Sequence, residues 1–131
     1  MTDLERANEY FGRDLFATEV TGIEILHAEP GRARCSLKIE ARHRNAMGNV
    51  MGGAMFTLAD FAFAIASNFD QKSAVSHSST ITYLSAPKGD VLYAEAVKIK
   101  AGRSTCFYKI EVTDDLGTKC AYVTSSGFVV G

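Results

Sequence analysis

The segment from 54 to 68, AMFTLADFAFAIASN, leaves a folding chain few choices. Its residues are mostly Ala, Phe, Met, Leu and Ile, and they fall on every side of a helix rather than on one stripe. A helix that is apolar all round is enclosed by its surroundings. A membrane span needs about 20 apolar residues with few charges, whereas this run is shorter and carries Asp60 near its middle. The segment therefore calls for a helix buried in protein. Its small residues Ala54, Ala59, Ala62, Ala64 and Ala66 let a sheet wrap closely around it. Met55, Phe56, Phe61 and Phe63 suit the core, for the most part, better than a ligand pocket.

Asp60 conflicts with that burial. An ionised carboxylate without partners costs several kcal/mol in an interior, so Asp60 needs either structural hydrogen-bond partners or a cleft. The residues ahead of the helix favour a cleft. Gly52 and Gly53 immediately precede it. The first N–H groups of a helix lack internal acceptors, and the dipole there favours negative charge. Glycine also lets a ligand come close to the backbone. Such an end can polarise a carbonyl and hold an oxyanion, while a carboxylate about two turns further on activates water or attacks. The competing reading of Gly-Gly is an ordinary helix-start turn. In the polar loop from 41 to 51, Asn45 both donates and accepts and can orient a water or a carbonyl; a turn-forming Asn is the alternative. His43 has no carboxylate placed beside it by the sequence, so it reads as structural or solvent-facing.

The flanking chain supplies the sheet. Leu4, Ala7, Phe11 and Leu15 recur at helical spacing, predicting an amphipathic helix over 3–16 with Thr2 or Asp3 as its cap. Strands are predicted over 21–28, 34–39, 74–84, 91–100, 105–113 and 119–130, separated by turns such as Glu29-Pro30-Gly31, Pro87-Lys88-Gly89-Asp90 and Gly102-Arg103-Ser104. In the strand over 74–84, simple alternation puts Ser76, Ser78, Thr80 and Thr82 on one face as a hydroxyl row, which reads either as a solvent face of β-formers or as a row whose first member, Ser76, reaches the site. The order helix, two strands, long helix, four strands implies an α+β layer fold with an antiparallel sheet of about six strands. At 131 residues, the whole of 1–131 fits one domain. A net charge of −1 argues against a phosphate-driven nucleic-acid binder. Three separated cysteines suggest reduced thiols, and scattered histidines give no metal spacing. The charged N-terminus lacks the apolar core of a signal peptide. These features lead us to expect a cytoplasmic location, with no membrane partner.

Asn45, Gly48, Gly52-Gly53, Leu58 and Asp60 together resemble the signature of hotdog-fold acyl-CoA thioesterases of the phenylacetate-degradation (PaaI) type. Ser76, Ile81-Thr82-Tyr83, Pro87-Lys88-Gly89 and Gly102-Arg103-Ser104 extend the resemblance over most of the chain after about Thr21. One position departs: the histidine that this family carries before the glycines is Met51 here. The resemblance implies a hotdog fold, with the long helix wrapped by the sheet, and a homodimer, often assembled into a homotetramer. It implies a site at the dimer interface, with Gly52 of one subunit facing Asp60 of the other. The implied chemistry is hydrolysis of a small acyl or aryl-acyl CoA ester, with no cofactor beyond the coenzyme A of the substrate. Gly52 would polarise the thioester carbonyl, Asp60 would be general base or nucleophile, and Asn45 and Ser76 would support them. Lys88, Arg103 and Gly53 are candidates for holding coenzyme A, although solvated turn charges explain the two cations equally well. An acyl-CoA-binding protein without turnover, motivated by Met51, is the alternative. A hotdog dehydratase ranks lower, because neither His43 nor His77 fits such a motif.

Overall fold

The structure is a computed structural model, described here over residues 1–130. A capping box starts α1 (Asp3–Phe11): the Glu5 N–H donates to Thr2 Oγ1 at 3.1 Å, and the Thr2 N–H donates to Glu5 Oε1 at 3.0 Å. The predicted continuation to residue 16 is absent. Helix α1 stops at Gly12, a weak helix former, and a π-helical segment (Phe16–Thr21) occupies what looked like the end of a helix and the start of a strand. Next come β1 (Ile23–Glu29), β2 (Arg32–Lys38), a short 3-10 turn (Ala41–His43) and α2 (Gly52–Asn68). The chain finishes with β3 (Ala74–Tyr83), β4 (Val91–Ala101), β5 (Thr105–Asp114) and β6 (Lys119–Val129).

The six strands form one antiparallel sheet in the order β1-β2-β4-β5-β6-β3. Strand β3 therefore pairs with β6, not with the β4 that follows it, and residues 84–90 carry the chain across the end of the sheet rather than making a hairpin turn. Two aspartates fix this crossing. Asp114 accepts from the N–H groups of Lys88 (2.7 Å) and Gly89 (3.0 Å), and Asp115 from those of Asp90 (2.9 Å) and Val91 (3.2 Å).

Alternating residues of the middle strands point inward onto α2. Ala33, Cys35, Leu37, Leu92, Ala94, Ala96, Ile110, Val112 and Val123 are all buried there against Leu58, Phe61 and Ile65. Phe63 meets Tyr108 edge to face at 5.4 Å, and the Tyr108 hydroxyl donates to the Ala66 carbonyl at 3.2 Å. Met55, Phe61 and Phe63 are core, as expected. The helix is not enclosed all round, however: Gly53, Thr57, Asp60 and Ala64 form an accessible stripe along one side. At the C-terminal end of α2, Arg6 pairs with Asp70 through two contacts of 2.8 and 2.7 Å, tying α1 down. No helix among the described residues is long and apolar enough to cross a membrane.

Strand β3 departs from simple alternation. A bulge at His77 interrupts its register with β6: Ser76 pairs with Gly127, but Ser78 pairs with Ser126. The extra residue shifts the face. Ser78, Thr80 and Thr82 lie on the outer side of the sheet, whereas Ser76 joins Ser79, Ile81 and Tyr83 on the helix side. The expected hydroxyl row is thus split, and its first member alone turns inward.

Candidate active site

The N-terminal end of α2 is an open end of backbone donors. Met51 sits at the N-cap in an extended conformation and makes no side-chain cap. Among the described residues, the N–H groups of Gly52 and Gly53 meet no acceptor. The two glycines serve different purposes. A Cβ on Gly52 would lie 2.6 Å from the ring of Tyr83, so Gly52 admits that ring against the helix. Around Gly53 the space is open, with nothing within 4 Å of where a Cβ would stand.

The loop before the helix holds itself together. Asn45 Oδ1 accepts from the N–H groups of Met47 (3.0 Å) and Asn49 (3.1 Å), which is the turn-forming role. Gly48 takes φ +85°, a left-handed conformation that suits glycine. Asn45 Nδ2 donates to nothing among the described residues, so its donor side is the one that remains for a ligand. His43 is buried and structural. Its Nδ1 accepts from the Glu40 N–H at 2.9 Å and its Nε2 lies 2.6 Å from the Thr21 carbonyl, which fixes the neutral Nε2–H form.

Asp60 lies on the accessible stripe of α2 and has no hydrogen-bond partner among the described residues. It is exposed on the isolated chain, yet neighbouring atoms desolvate the carboxyl enough to raise its pKa above the usual 3.8. Of the two routes open to an aspartate on this helix, structural partners are not taken among the described residues, and Asp60 stands exposed on the accessible stripe of the isolated chain. Gly52 and Asp60 share one straight helix, and eight residues at 1.5 Å each separate them by roughly 12 Å along its axis. Within one chain they cannot both approach the same carbonyl group, for which contacts of about 3 Å are needed.

The remaining candidates are spread out. Ser76 is accessible on the helix side of β3 and makes no side-chain hydrogen bond among the described residues. Lys88 stands at the end of the sheet where β5 finishes and Arg103 at the end where it starts, so the length of a ten-residue strand, roughly 30 Å, divides them. The two cations do not converge within one chain. Sequence reasoning missed Tyr83, which it treated only as a strand residue. Only the packing of β3 across the helix start brings that ring to Gly52, and no local signal marks it.

The model of the thioesterase superfamily matches residues 47–121, from the loop before α2 to the start of β6. The chain belongs to the thioesterase superfamily. Within it, the chain is 32% identical over 111 residues to the acyl-coenzyme A thioesterase PaaI of Escherichia coli, covering 84% of this chain and 79% of that one. It is 36% identical to a putative esterase of Archaeoglobus fulgidus over 83% of this chain and 71% of the relative. The solved E. coli PaaI structure superposes with a TM-score of 0.90 at 25% identity, over 98% of this chain and 94% of that one. A hypothetical thioesterase from Streptococcus pneumoniae, solved with coenzyme A, gives a TM-score of 0.85 at 28% identity, over 95% and 97%. The thioesterase fold here is the hotdog of the PaaI type, and the chain is a thioester hydrolase.

Proposed function

We propose that this thioesterase hydrolyses a small acyl or aryl-acyl CoA ester to the free acid and CoA, in a site completed by a second copy of the chain. One observation carries the reading: a helix start with two unused N–H groups and an unpartnered carboxylate lie on the same helix, too far apart to serve one carbonyl. A two-fold partner resolves the separation. With α2 antiparallel to its copy, Gly52 of one subunit faces Asp60 of the other. The free edge of β3, a row of unpaired backbone groups ten residues long, favours edge-to-edge pairing of the two sheets. The same pairing brings the Lys88 end of one sheet beside the Arg103 end of the other, where both cations can meet the phosphates of coenzyme A. Gly53 lies open at the helix start, where the coenzyme A arm and the acyl tail diverge from the thioester. A homotetramer of two such pairs and a cytoplasmic location complete the reading.

In the chemistry, the Gly52 N–H and the helix dipole hold the thioester oxygen as it becomes an oxyanion. Asp60 takes a proton from water as the water oxygen attacks the carbonyl carbon. Collapse of the tetrahedral intermediate breaks the C–S bond, and the departing thiolate recovers the proton from Asp60. Direct attack by Asp60, with a mixed anhydride then opened by water, uses the same residues. Asn45 Nδ2 and the Ser76 hydroxyl position the water or the carboxylate. This chemistry needs no cofactor. The test is thiol release from a panel of acyl-CoA esters by wild type and Asp60→Asn. Release that vanishes in the variant supports the reading, and equal release sinks it. Met51, an apolar side chain at the helix start, favours one second reading, a protein that binds acyl-CoA without turnover. Ester-dependent thermal protection without any release would establish that reading instead.

A further inference from the structure

Resting on the thioesterase reading, we propose that the groove between the π-helical segment and the start of α2 binds the apolar acyl tail of the substrate, with Phe16 and Val20 setting the tail length it accepts. The groove encloses about 490 Å³, within the range of about 300–1,000 Å³ usual for small-molecule sites. Phe16, Val20 and Met51 line it while remaining 67%, 59% and 48% exposed, and Ala54 and Thr57 belong to its α2 wall. Three large apolar side chains converge on this open space without helping to fill the core.

They are held there, not loosely displayed. Arg42 Nη1 donates to the carbonyls of Val20 (2.9 Å) and Glu19 (3.3 Å), and Nη2 pairs with Glu40 at 2.9 Å. His43 holds the Thr21 carbonyl, and Thr18 Oγ1 donates to the Gly12 carbonyl at 3.0 Å. Four side-chain ties thus fix a π-helical turn, a conformation rare in proteins and frequent at functional sites.

Two features identify the occupant. The groove is continuous with the reacting centre: Gly53 and Thr57 line it, Gly52 precedes Gly53, and Asp60 follows Thr57 by about one turn on the same stripe. A carbonyl held at the helix start carries two substituents, the acyl tail and the pantetheine arm with its phosphates. Among the described residues, the only cation on the groove is Arg42, and its guanidinium already donates to two carbonyls and Glu40. The groove therefore suits the apolar tail and not the phosphate-bearing arm. Met51, an unbranched thioether, adapts to tails of different shape.

The test compares Val20→Trp and wild type on acetyl-, butyryl-, hexanoyl- and octanoyl-CoA. For wild type, kcat/KM should rise with chain length, by up to about fourfold per buried methylene. In Val20→Trp the octanoyl-to-acetyl ratio should fall at least tenfold, carried mainly by KM, and Val20→Ala should restore most of it. A wild type indifferent to length, or a ratio unchanged by tryptophan, would overturn the proposal. If wild type releases no thiol, the hydrolytic reading fails on its own, and the same ratio is then read from competitive binding of the same esters. A length dependence of binding that Val20→Trp flattens retains the groove; one it leaves intact removes it.

Discussion

Asp114 and Asp60 are both crowded carboxylates, and the chain treats them in opposite ways. Asp114, at the end of β5, accepts from four backbone N–H groups: Lys88 and Gly89 on Oδ2, Leu116 (3.0 Å) and Thr118 (2.7 Å) on Oδ1. Burial on its own would raise its pKa, but hydrogen bonds from Lys88, Thr118 and Gly89 outweigh that and hold the carboxyl far below the usual range. Asp60 receives no such bond, and burial leaves its pKa raised. One aspartate is spent on joining two turns. The other keeps its lone pairs for something outside the chain. An exposed carboxylate without partners in the chain, whose pKa is nevertheless raised by burial, is open to a ligand or a second subunit.

The sharpest way to break this contrast is to neutralise each carboxylate. Asp60→Asn should lower kcat by about 10²–10⁴-fold, the usual worth of a general base, measured as thiol release. Asp114→Ala should act on the fold instead. It strands four N–H groups and frees the 84–90 crossing, and should cost about 2–4 kcal/mol in urea unfolding. If Asp114→Ala abolished turnover in a fully stable protein, the division of labour drawn here would be wrong.

Acidification separates the two again. Asp60 must be ionised to act, so its raised pKa puts the acid limb of kcat/KM above 3.8. Asp114 has a folded pKa below its unfolded one, so its contribution to stability is complete above the unfolded value of about 3.9 and is lost as pH falls through the folded value. Activity should therefore fail at a higher pH than the fold does, with circular dichroism intact where thiol release has stopped. The smallest effect is on stability at neutral pH. A raised folded pKa means that ionised Asp60 opposes folding there, so Asp60→Asn should melt no lower than wild type. A clear fall in Tm would mean that Asp60 has a structural partner after all.

Much of this was legible in the sequence. The body and end of α2 follow from its composition, although the two glycines read as preceding it form its first turn, and the strands follow from alternation bounded by turn residues. Each rests on contacts between near neighbours. What escaped depends on distant ones. Nothing within residues 74–91 says that β3 pairs with β6 rather than β4, because that choice is made by strands still to come. The π-helical segment is held by Arg42 and His43, more than twenty residues away, and local spacing there imitates the end of α1. Asn45 was legible both as a turn former and as a residue that orients a ligand, and its oxygen takes the first role. The separation of Gly52 from Asp60 could be read in advance, since eight helical residues have a fixed length.

The bulge at His77 has a consequence for how this strand tolerates change. Ten residues of β3 run against nine of β6, so the strand carries one more amino acid than its pairing requires, and that surplus sets the phase of everything before it. Deleting any single residue between Ser76 and Ser79 would abolish the surplus while leaving Ser76 in phase with Tyr83. Inserting one beside it would rotate Ser76 to the far side of the sheet. The strand thus works as a vernier: its two ends are indexed separately, and the Ser76 hydroxyl can be turned to either face without disturbing the aromatic ring that closes over the start of α2.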